Sequence, residues 1–189
     1  MKEIMRDLIK FPLALLLAAT LSAPGHAKAD NWFTSWYASP QPVWSPGFIL
    51  PTNIPASLQG QTVREVIKVS AGGKRIRLMF SNRYGTTPLD IGEVRVAMSH
   101  EGSAIVGKTD TLVTFNGRRS ASVPPGSPIL SDPIAFDLAP LQRVAVSSFY
   151  PGKTALTTFH WGDQQTAFVA DGNVTGSAQL APNSLVKGR

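Results

Sequence analysis

Between Thr62 and Ala170, apolar and polar residues alternate with a period of two, as strands with one buried face require. Thr62–Val69 sets Val63, Val66, Ile67 and Val69 among polar residues. Lys74–Ser81 opposes Arg75 and Arg77 to Ile76 and Leu78. Leu89–Val96 alternates through Leu89 and Ile91, then through Val94 and Val96 after Gly92. Shorter runs follow at Asp110–Phe115, Ser131–Phe136, Arg143–Tyr150, Thr154–His160 and Thr166–Ala170. Asn116-Gly117, Pro124-Pro125-Gly126, Pro151-Gly152 and Asp171-Gly172 separate them. Strands about ten residues apart with Gly/Pro punctuation predict an all-β fold: an antiparallel β-sandwich, jelly-roll-like, its strands half-buried with one polar face in solvent. Ile76, Leu78, Phe80, Ile91, Val94, Val96, Leu112, Val144 and Val146 are the expected core. Gly72-Gly73 is expected to supply positive φ in a tight hairpin turn, and Gly92 to mark a bulge.

Two stretches depart from this alternation. Residues 1–29 join a basic start (Lys2, Arg6, Lys10) to a short apolar run, Phe11–Ala19, and close on Ala27-Lys28-Ala29. That is the layout of a secretory signal peptide, with cleavage expected near Ala29 and a secreted or periplasmic product. The apolar run falls short of the roughly 20 residues a membrane span needs. Residues 30–61 read as an N-terminal strand and a Pro-rich wrapping loop anchored by Trp44, Phe48, Ile49 and Leu50. Residues 62–181 are the sandwich core, and 182–189 read as a tail or truncated linker.

Composition narrows the chemistry. There is no cysteine, which excludes thiol catalysis and Cys-type zinc sites. The net charge is +6; residues 1–29 hold four basic and two acidic groups, so +4 remains beyond them. The basic residues, Arg64 and Arg95 among them, are scattered and interleaved with acids. They read as solvated strand faces, with no patch for nucleic acid. Past residue 29 the histidines are His100 and His160, neither at a metal-ligand spacing. His160 stands three residues before Asp163, but no Gly-x-Ser-x-Gly or Gly-Asp-Ser nucleophile accompanies it, so it reads as an imidazole at a strand end. No catalytic residue, metal ligand or cofactor motif is assigned.

Four segments in order carry a resemblance: Trp32–Pro42, Thr62–Ala97, Val123–Pro151 and Thr157–Asn173. Ser81-Asn82 is followed by Tyr84-Gly85 and Pro88-Leu89. Pro124-Pro125-Gly126 is followed by Ser131-Asp132-Pro133. Together they resemble the N-terminal β-sandwich domain of secreted SGNH/GDSL-type hydrolases. The resemblance implies a partner: a catalytic α/β hydrolase domain, whose Gly-Asp-Ser block follows this region in the family and does not occur in these 189 residues. It therefore implies an exported, non-catalytic accessory domain.

The alternatives are a stand-alone lectin-like module and a small hydrolase with a site of its own. For a module, Trp44 and Trp161 offer indole faces to a polysaccharide or acyl-sugar, with His160, Asp163 and Gln164 as hydrogen-bonding neighbours. The competing reading of the same residues is core or inter-domain packing. Trp32 and Trp36, in a strand-like segment, are expected to pack on the sandwich.

Overall fold

The computed structural model describes residues 31–44, 47–49, 54–160, 165–181 and, for the backbone, 183–187. Residues 1–29, and with them the signal-peptide reading, lie outside the described residues. Two compact units divide the chain, Met1–Phe33 and Thr34–Arg189. In the first, Trp32 and Phe33 are exposed. All the strands among the described residues lie in the second, and each of their pairings is antiparallel.

One layer is a six-stranded sheet. Its order is β16 (Ser184–Lys187), β15 (Thr166–Asp171), β3 (Gln61–Lys68), β12 (Arg143–Tyr150), β7 (Glu93–Met98) and β8 (Thr111–Val113). The facing layer consists of three ribbons. β4 (Gly73–Ile76) pairs with β11 (Ile134–Leu138), β5 (Met79–Ser81) with β10 (Pro128–Leu130), and β6 (Leu89–Ile91) with β9 (Ala121–Val123). Backbone bonds from Ser131 N–H to Leu78 O and from Asn82 N–H to Ser127 O, 2.8 and 2.9 Å, connect these ribbons. The fold is an all-β sandwich.

The core fills the space between the layers. Val94, Val96, Val144 and Val146 from the large sheet meet Ile91, Val123, Ile134, Phe136 and Leu138, with Ile76, Leu78 and Phe80 partly buried against them. Each full burial stabilises by about 1.5–3 kcal/mol. Leu112 is not in this core; Val113 is, fully buried. The register gives the reason. Val113 lies opposite Val94 on the core side, whereas Leu112 lies opposite Arg95 on the other.

Three predicted strands are divided. Thr154–His160 breaks into Thr154–Ala155 and Thr158–Phe159. Lys74–Ser81 breaks into β4 and β5, and Leu89–Val96 breaks at Gly92. Gly92 is a handover between layers rather than a bulge: β6 pairs in the ribbon layer and β7 in the large sheet. A Cβ on Gly92 would sit 2.9 Å from Phe149 Cδ1, so only glycine lets the chain turn the corner there. Gly72 and Gly73 do not have positive φ. Gly72 is needed because a Cβ would stand 2.2 Å from Leu138 O. Positive φ occurs instead at Asn116 (50°) and Gly117 (75°), a two-residue turn closed by mutual Phe115–Arg118 bonds.

Two further expectations are corrected. Within 182–189, Ser184–Lys187 is strand β16 of the large sheet rather than a tail. In the Pro-rich loop, Ile49 is 89% exposed and does not anchor it, while Phe48 is exposed but rests against Trp44; Leu50 lies outside the described residues. The buried anchor is Leu58 in β2 (Ser57–Leu58), which pairs with β13 (Thr154–Ala155). Trp36 does not pack away either. It is 41% exposed and outside any strand.

Candidate functional site

Of the expected ligand residues, Trp44 and His160 flank a short ribbon, β1 (Gln41–Pro42) against β14 (Thr158–Phe159). The bond from Val43 N–H to Thr157 O, 3.1 Å, extends it. Trp44 leaves the ribbon half-buried. Its ring centroid is 4.1 Å from that of Phe48, and Phe159 meets it edge-on at 5.2 Å. Such aromatic pairs favour packing of the ring inside the protein. His160 Nδ1 lies 2.9 Å from Ser39 O, so the proton on that nitrogen bonds the main chain. Trp161, Asp163 and Gln164 lie outside the described residues.

Beside the ribbon is a shallow depression lined by Asn82, Thr87, Leu89, Thr154 and Thr157. It measures about 230 Å³ with its open mouth included, below the roughly 300–1,000 Å³ of ordinary ligand pockets. Asn82 is occupied structurally. Its side-chain Nδ2 donates to Thr87 O and Val123 O at 2.8 and 2.9 Å, and its main-chain carbonyl accepts from Gly85 and Gly126 N–H. A Cβ on Gly85 would overlap the Asn82 carboxamide. Ser81–Gly85 and Val123–Gly126 are thus one knot between two loops. The Asp132 carboxylate likewise caps the Asn116–Gly117 turn, accepting from both amides and from Thr114 Oγ1. These bonds hold its pKa below the usual value, Thr114 contributing most.

A second polar cluster lies on the outer face of the large sheet, which is not simply solvated. Arg64 is fully buried, contrary to its reading as a surface residue. Alternation puts Arg64 and Arg95 on the face opposite the core, and one cross-strand row reads Phe168, Arg64, Ser147, Arg95, Leu112. Two segments cover that face. Ile105 packs on Val66, Ala97 and Ala145, while residues 172–181 cross the row. The Arg64 guanidinium donates from Nε to Ser147 Oγ (2.7 Å), from Nη1 to Ser103 O (2.6 Å), and from Nη2 to Thr175 O and Ser177 O (both 2.9 Å). Burial lowers its pKa, partly offset by the charge of Asp110.

Beside it Arg95 pairs with Asp110 at 2.8 Å. Glu93 accepts from Thr175 Oγ1 and pairs with Arg119 at 2.8 Å. The Thr175 bond, then Arg119 and Arg95, hold the Glu93 pKa below the usual carboxylate value against the opposing effect of burial. Sequence reasoning missed this cluster because an arginine at an alternating position looks the same whether or not a distant segment covers it.

Among the described residues, no three or more His, Asp or Glu side chains converge as metal ligands, and no helix is long and apolar enough to cross a membrane. Neither described imidazole stands as a base beside a nucleophile. His160 bonds a carbonyl, and His100 Nδ1 accepts from Glu101 N–H at 2.7 Å. Comparison of the chain with known protein families and with curated proteins returned no match.

Proposed function

We propose that the chain is an exported, non-catalytic β-sandwich domain accessory to an SGNH/GDSL-type ester hydrolase. The observation that carries this reading is how the polar residues of the resembling segments are used. Asn82, Gly85, Gly126 and Asp132 tie loops together, and His160 bonds the main chain. Acyl transfer needs a nucleophile within hydrogen-bond reach of a base, and donors aimed at an oxyanion. The described residues assemble neither. The chemistry then belongs to a partner α/β domain, and this domain is its scaffold. The contacts of the Trp44 ring with a tilted Phe48 and an edge-on Phe159 weigh against a sugar platform.

The DNA following codon 189 tests the proposal. A frame encoding a Gly-Asp-Ser block within the next several tens of codons is expected. An unrelated gene beginning there at once would overturn the accessory reading in favour of a stand-alone module.

A further inference from the structure

We propose that residues 172–181 form a strap, latched over the large sheet by Arg64, that opens as a unit while the sandwich stays folded. The hold of the strap on the sheet is polar. Within it Thr175 and Leu180 are buried, and Leu180 is its one buried apolar side chain. Beyond the two carbonyls that Arg64 binds, Thr62 Oγ1 donates to Gly172 O (2.7 Å) and accepts from Val174 N–H (3.1 Å). Ser103 Oγ donates to Leu180 O (3.0 Å) and accepts from its N–H (3.2 Å). Ile105 N–H donates to Ala178 O (2.8 Å).

One guanidinium joins this strap to the Ser103 loop and to Ser147 on the central strand. Loss of the strap carbonyls leaves a buried cation short of acceptors, which is costly unless water reaches it. The bonds therefore favour breaking together. The main core lies on the opposite face of the sheet and contains no strap residue, so opening leaves it intact. Segments with few buried apolar contacts are those that open locally. Gly176 lies over the Arg95–Asp110 pair, where a Cβ would be 3.4 Å from Arg95 Nε. Opening thus uncovers the Arg64 guanidinium beside the Arg95–Asp110 pair.

Native-state hydrogen exchange on the full chain, at rising sub-denaturing urea, tests this. In the wild type the amides of Ile105, Val174 and Leu180, whose bonds join the strap to its neighbours, are expected to exchange together. They should exchange at least tenfold faster than amides of β12 and with a weaker urea dependence, since little surface is exposed. Arg64→Met is expected to accelerate the same amides at least tenfold and leave β12 unchanged, with Arg64→Lys in between. Exchange of strap and β12 at one rate and with one urea dependence would overturn the proposal. So would an Arg64→Met chain that speeds both alike or does not fold, because Arg64 would then belong to the global core.

Discussion

Glu93 shows what a single residue contributes when charge and burial meet. Its side chain is 15% exposed and bonded to Thr175 and Arg119. Its pKa in the fold lies below the ordinary carboxylate value. Between those two values the unfolded chain binds the proton more readily, so stability rises with pH across that window. The contribution is complete above the ordinary range, near about pH 4.3. It fades as pH falls through the depressed value. Asp132 titrates in the same direction. We expect the urea midpoint to drop steeply below about pH 4 and Glu93→Gln to flatten that limb. At pH 7 the same substitution should cost about 1–2 kcal/mol. An acid limb identical to that of the wild type would show that Glu93 keeps its ordinary titration in the fold.

The long strands of the large sheet were legible from their alternation, whereas Ala121–Val123 and Pro128–Leu130 were not. Arg143–Tyr150 is predicted and observed with the same bounds, and Gln61–Lys68 lies one residue from its expected position. Alternation assigns residues to faces but cannot say which face meets the core when a strand carries apolar residues on both. In Thr111–Val113 the pairing with β7 decides it, burying Val113 and leaving Leu112 beside Arg95. Val113→Ala should therefore cost about 2 kcal/mol, and Leu112→Ala clearly less, in matched urea titrations. Equal losses would mean that the register has slipped. The divisions at Gly92 and after Ile76 were hidden for another reason. Each depends on which strand lies alongside, and that partner is remote in sequence. The same holds for Ser184–Lys187, which becomes a strand because Thr166–Asp171 offers an edge.

Across the whole molecule, two antiparallel layers enclose an apolar core, and the polar side chains described above join loops to strands. Of the expected ligand set, Trp44 and His160 are among the described residues. Trp44 and His160 do fall on one ribbon, but their rings face Phe48, Phe159 and the Ser39 carbonyl. The cluster around Arg64 had no linear signal, since its oxygens come from segments 39, 111 and 113 residues away. We expect the purified chain not to hydrolyse p-nitrophenyl acetate above an inactive-protein control. Turnover that survives purification and vanishes in His160→Ala would instead place an active site on the β1–β14 ribbon.

The partners of Arg64 in the strap carry one more consequence. They are main-chain carbonyls, which every residue possesses. The guanidinium therefore recognises position along the strap and is blind to the letters written there. A new side chain at Ser177 leaves its acceptor in place, whereas deleting one residue between Gly172 and Leu180 displaces the carbonyls beyond it. Away from Gly172, Thr175, Gly176 and Leu180, such a segment has freedom of spelling and none of length: point changes pass through it, and frame-preserving indels do not.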